Sequence, residues 1–184
     1  MANLCASVQA YTKQCGRGIS GGVGKMWIVS YNDLGVISGS TEAYAFASGS
    51  TVISNIALAS GKTFSSVGLL KESVTFKGSA KRDSATGSFE NQTETTISIS
   101  NISETAKAYV DSLMQAPVAI LMKLRSGVYV VTGLNGLTEL TDTEESSGTK
   151  NGDMNGYILK FTGVQDSLTS TVDPTLIASI VDKV

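Results

Sequence analysis

Short alternating runs and short continuous apolar runs dominate this chain, and helical spacing is found in few places. Met26-Trp27-Ile28-Val29-Ser30-Tyr31 combines aromatic and β-branched residues between glycines and Asn32-Asp33, and reads as a strand buried on both faces. Val52, Ile56 and Leu58 share one parity and predict a second strand. Leu70, Val74 and Phe76 lie on one face, with Lys71, Ser73, Thr75 and Lys77 on the other, which is the alternation of a half-buried strand. Gly78 to Gly87 is polar and carries Lys81-Arg82-Asp83. Phe89 to Ser100 is then extended again, with Ile97 and Ile99 inward and the threonines and serines outward. Together these segments predict a long hairpin with a soft, charged tip.

The strongest helical pattern covers 103–115. Ser103 is placed to cap it, Glu104 suits the positive end of its dipole, and Ala106, Val110, Leu113 and Met114 form an apolar stripe. Pro117 ends it by biasing Ala116 towards extended backbone. Val118–Leu124 and Val128–Thr132 read as apolar strands joined at Arg125-Ser126-Gly127. Leu134-Asn135-Gly136-Leu137 predicts a two-residue hairpin of type I′, and Asp142 to Gly156 reads as a hydrophilic loop. Tyr157, Leu159 and Phe161 alternate with Ile158, Lys160 and Thr162 in a final strand. Asp173-Pro174 opens a short C-terminal helix with Leu176, Ile177, Ile180 and Val181 on its apolar side. The pattern predicts a mainly β chain with one clear α-helix and a short C-terminal one.

Composition narrows the function. The 184 residues favour one domain, 1–184, which at that size buries roughly 70% of its unfolded surface without metal or disulfide support. With 14 basic and 16 acidic residues interspersed, nothing resembles the basic stripe of a nucleic-acid-binding surface. The longest apolar stretch, Pro117 to Leu124, is too short to cross a bilayer, and the N-terminus shows no secretory signal, so a soluble protein of the cytoplasm is expected. Histidine is absent, which removes the commonest general base and the commonest metal ligand. Cys5 and Cys15 have no CxxC or histidine partner for zinc; a disulfide fits their spacing, while two small half-buried thiols is the plainer reading.

Motifs that resemble sites fail on spacing. In Gly18-Ile19-Ser20-Gly21-Gly22-Val23-Gly24-Lys25, a phosphate-binding loop needs glycine where Ile19 stands and Ser or Thr where Met26 stands. Asp153-Met154-Asn155-Gly156 starts like a calcium loop, but its twelfth position is Val164 rather than glutamate. Asp142, Glu144, Glu145 and Asp153 read as a solvated face rather than as catalytic carboxylates. A Ser-His-Asp triad cannot exist without histidine, no motif supports a Ser-Lys pair, and Trp27 reads as core rather than as a sugar platform. These readings point to a protein that is not an enzyme and carries no cofactor.

The order of elements resembles the bacteriophage major tail (tail tube) protein family, particularly the versions in phages of Bacteroidetes-type hosts. The residues that carry the resemblance are Cys15, Gly21-Gly22-Val23, Trp27-Ile28-Val29 and Asp33 at one end. At the other they are Gly148-Thr149, Gly152-Asp153, Asn155-Gly156-Tyr157 and Phe161-Thr162-Gly163. The resemblance implies an antiparallel β-sandwich or half-barrel with one flanking α-helix. It also implies a virion subunit, assembled in the host cytoplasm, whose hexameric rings stack into a tube for DNA ejection. Implied partners are further copies of itself, the tape measure, tail terminator and baseplate or tip proteins, and genomic DNA that passes without being bound. The candidate subunit-contact residues are Lys81, Arg82, Asp83, Asp142, Glu144, Glu145 and Asp153. Two other classes stay open: a head–tail connector ring, and a β-sandwich binding module such as a carbohydrate-binding domain.

Overall fold

The computed structural model describes residues 21–69, 72–85, 87–150 and 153–182. The expectations for Cys5, Cys15, Leu70, Lys71 and Gly152, and the first part of the glycine-rich loop, fall outside them. Among the described residues, eleven strands form two stacked sheets with two helices, and neither sheet closes into a barrel.

The larger sheet has seven strands, and its central ones are buried on both faces. Its centre is β1 (Val23–Ser30), β7 (Val118–Leu124) and β8 (Tyr129–Thr132), all antiparallel. Met26, Ile28, Val118, Ile120 and Met122 point into the core between the sheets. Their alternates Trp27, Val29, Ala119 and Leu121 point into a second core on the outer face. Two cores explain why these strands are continuously apolar. The outer core is roofed by the C-terminal helix α2 (Pro174–Ile180), through Ile177 and Ile180, and by Phe64. Asp173 caps that helix as expected, accepting from the Thr175 N–H at 2.9 Å.

The sheet is completed by β2 (Tyr44–Phe46), β3 (Val52–Ile56), β4 (Ser65–Ser66) and β11 (Ser170–Val172), in the order β2-β3-β11-β8-β7-β1-β4. Of these four, only β3 is legible in the sequence, and its facing differs from expectation. Ile53 and Ile56 are buried, not Val52 with Ile56, because a register shift against β2 breaks the alternation. The β3–β11 pair is parallel, an exception to the antiparallel expectation.

The smaller sheet has four antiparallel strands in the order β5-β6-β10-β9: β5 (Val74–Arg82), β6 (Phe89–Ser100), β9 (Thr138–Ser146) and β10 (Gly156–Gln165). Its inner face supplies Ile97, Tyr157, Leu159 and Phe161 to the inter-sheet core. Thr93 and Thr95 are buried on that face, contrary to the outward placement expected of threonines, because they share parity with Ile97. The Thr93 hydroxyl donates to the Gly163 carbonyl, which removes the cost of burying it.

Helix α1 (Glu104–Leu113) flanks this core with Ala106, Tyr109, Val110 and Leu113. Ser103 caps it through the Ala106 N–H at 3.1 Å. Met114, expected on the stripe, is instead exposed just past the last turn. Tyr109 takes an inward place, and burial pushes its hydroxyl up to about 12.

Between β8 and β9 the Asn135-Gly136 turn is not a hairpin. Strands β8 and β9 belong to different sheets, so the turn is the corner where the chain crosses from one layer to the other. Gly136 has φ +76 while Asn135 is not left-handed, which excludes type I′. Asn135 fastens the corner by donating to the Val164 carbonyl at 2.9 Å and accepting from the Leu137 N–H.

The glycines of the C-terminal pattern mark close approaches. Gly156 has φ +154, and a Cβ there would collide with the Ile99 carbonyl of β6. A Cβ on Gly163 would collide with the Thr138 side chain of β9. Both positions let β10 sit centrally between its neighbours.

Candidate assembly surface

One face of the four-stranded sheet packs on the core; the other is open and polar. Cross-strand pairing places on the open face Thr75, Lys77, Ser79 and Lys81 of β5, and Glu90, Gln92, Glu94, Thr96 and Ser98 of β6. Ile158, Lys160, Thr162 and Val164 of β10 and Glu139, Asp142 and Glu144 of β9 complete it. The acids of β9 share this face despite their uneven spacing because a bulge beside Lys160 loops out Thr141. The Thr141 hydroxyl steadies the bulge by donating to the Lys160 carbonyl at 3.1 Å.

The candidate contact residues sit differently from their expected places. Lys81 and Arg82 are the last residues of β5, opposite Glu90 and Phe89, and not on a loop tip. Strand pairing persists because the polar hairpin needs no burial to satisfy its backbone. The tip begins at Asp83, whose carboxylate accepts from the Ala85 N–H at 2.8 Å. The Arg82 guanidinium lies over the Phe89 ring, 5.6 Å from its centroid. Asp142, Glu144 and Glu145 are likewise strand residues of β9, not loop residues. Glu145 is on the core-side parity and accepts from the Tyr157 hydroxyl at 3.2 Å. Sequence alone missed this because Thr, Glu and Asp in β9 read as a loop when their neighbour β10 is not considered.

Asp153 belongs to the turn that follows. Its Oδ2 accepts from the Thr149 N–H, the Thr149 hydroxyl and the Lys150 N–H, at 2.9, 3.0 and 2.9 Å. These bonds favour the ionised form and hold its carboxyl below the usual aspartate range. A depressed folded-state pKa contributes stability that is present above the unfolded value and is lost as pH falls through the folded one. In an acid titration followed by NMR, the Thr149 and Lys150 amide signals are expected to move with a midpoint below that of an ordinary aspartate. A midpoint at the ordinary value would mean that the three bonds do not persist in solution.

The two outer strands of this sheet are its most unusual feature. Strands β5 and β9 each run nine residues, and among the described residues no strand pairs with the outer side of either. The seven-stranded sheet ends instead in strands of three and two residues, the usual protection for an edge. Sequence reasoning did not find these edges, or the part of Lys77 and Glu139 in them, because an edge is a property of the pairing order.

Other sites are weak by comparison. Among the described residues no group of three or more His, Cys, Asp or Glu side chains is placed to hold a metal ion, and no helix is long and apolar enough to cross a membrane. Trp27 is 7% exposed and packs near Tyr129, as expected of a core residue. A groove of about 500 Å³ beside β4 is lined by Met26, Trp27, Val67, Leu69 and Val181, together with Lys25 and Asp182. The Asp182 carboxylate already accepts from the Ser66 N–H and hydroxyl. No protein-family model, no curated protein and no solved structure matches the chain.

Proposed function

We propose that the chain is a self-assembling structural subunit of a bacteriophage tail tube, joined to its neighbours through the four-stranded sheet. The observation that carries this reading is the pair of nine-residue open edges, β5 and β9, on opposite sides of one sheet. Two different edges on one subunit make a heterologous contact, the kind that closes into rings. The antiparallel order makes β5 and β9 run in opposite directions. Where the strands run along the ring axis, rotation about it leaves their direction unchanged, so β5 of one copy would meet β9 of the next antiparallel and the sheet would continue as a wall. The resemblance of the sequence to tail tube proteins supplies the stacking of such rings into a conduit, and with it the tape measure, terminator and baseplate or tip proteins as partners.

The open face suits a passive bore. It carries Lys77, Lys81 and Lys160 against Glu90, Glu94, Glu139, Asp142 and Glu144, and Lys160 is engaged by Glu94 at 3.1 Å. Grip on DNA grows with the number of phosphates neutralised, by a salt slope of about 0.9 per contact, and this face has no cluster of bases to supply it.

Electron microscopy and sedimentation of the concentrated, purified protein test the reading. Hollow tubes or stacked rings are expected, together with negligible binding of duplex DNA in an anisotropy titration at physiological salt. Single closed rings with strongly salt-dependent DNA binding would instead indicate a head–tail connector. A monomer at every concentration would indicate a binding module.

A further inference from the structure

Charge is segregated between the two open edges. Strand β5 contains Lys77, Lys81 and Arg82 and no acid; strand β9 contains Glu139, Asp142, Glu144 and Glu145 and no base. Some of these charges are committed within the subunit: Arg82 lies over Phe89, and Glu145 holds the Tyr157 hydroxyl. The others are not. Among the described residues, Lys77, Lys81, Glu139, Asp142 and Glu144 form no ion pair. Lys77 and Lys81 have Glu94 and Glu90 across the strand, but Glu94 is taken by Lys160. Lys160, directly opposite Asp142, turns to Glu94 and so leaves Asp142 without a cation.

We propose that these charges select the contact between copies: Lys77 and Lys81 on β5 of one subunit recognise Glu139, Asp142 and Glu144 on β9 of a second copy. Two β5 edges, or two β9 edges, would set like charges side by side, which disfavours pairing. The β5–β9 junction sets opposite charges together. The edges therefore reject the isologous, two-fold dimers that an uncharged edge would permit, and admit the head-to-tail contact that builds a ring. This inference rests on the self-assembly reading and adds to it the residues that decide which edge meets which.

Charged edges also occur as guards against association, and neutralisation separates the two roles. In the Lys77→Ser/Lys81→Ser variant, a guard role raises association; the selecting role weakens it, moving the concentration for half-assembly up by about tenfold or more. The decisive experiment uses two charge-reversed chains. Lys77→Glu/Lys81→Glu makes both edges acidic; Glu139→Lys/Asp142→Lys/Glu144→Lys makes both basic. All substituted side chains lie on the open face, so circular dichroism and thermal melting should confirm that each variant folds. Each is expected to stay monomeric alone and to co-assemble on mixing, as the two chains alternate. Wild-type assembly weakened by salt is the accompanying result.

A folded reversed variant that assembles alone like the wild type overturns the proposal, as does a mixture that stays monomeric or a neutral variant that associates more readily. In those cases wild-type assembly leaves the tube reading standing. A wild-type chain that never assembles removes both.

Discussion

Gly156→Ala should lower the melting temperature by roughly 10 °C, a loss of at least about 3 kcal/mol for a chain of this size. Two effects combine. The φ of +154 is one that residues with a side chain rarely adopt. The new methyl would also be driven against the Ile99 carbonyl and the Ser100 Cα, backbone atoms that cannot rotate away. Relief requires β6 and β10 to part where Gly156 pairs with Ser100 on one side and Ser146 on the other, so the damage spreads to both junctions. Thermal melting followed by circular dichroism measures the loss. A melting point within about 2 °C of the wild type would show that the start of β10 is not held in this conformation.

Phe161→Ala is expected to cost about 3–5 kcal/mol, the range for truncating a fully buried aromatic ring. Phe161 is 1% exposed and stands on β10, central in the four-stranded sheet, packed in the inter-sheet core with Ile97, Leu159 and Ile120. The cavity opens between two sheets whose backbones are fixed by their own ladders, so it cannot easily collapse. Phe89→Ala is the matched control: its ring is 64% exposed at the end of the hairpin, and its loss should change stability by less than about 1 kcal/mol. Urea unfolding of the two variants reads the contrast directly. Equal costs would contradict the assignment of Phe161 to the core.

What the sequence made legible follows from burial. Strands β1, β7 and β10 and helix α1 were recognisable because their apolar positions are dense and regular, and both helix caps followed from Ser103 and Asp173-Pro174. Strands β2, β4 and β11 are two or three residues long, too short for periodicity to register. Strand β9 was hidden for a different reason. Its residues are those of a loop, and it is extended because β10 offers a ladder and Leu140 and Thr138 face the core side. Asn135-Gly136 was a correct turn with the wrong consequence, since local residues set the bend but not the sheet to which the next strand belongs. The candidate contact residues were found as charges and only the pairing order sorted them, Lys81 to one edge and Asp142 and Glu144 to the other.

Thr141 bears on size as well as facing. The residue looped out at the bulge sharpens the local twist of β9, and bulges are how sheets acquire curvature. In the wall proposed above, that curvature would be repeated at every subunit, and a small angle in one strand would be multiplied into the circumference of the whole. Removing Thr141 would leave Glu139, Asp142 and Glu144 on the same face while straightening the strand. In the proposed ring the single extra residue would then act as a gauge, setting how sharply the wall bends and hence how many copies pass before the first meets the last.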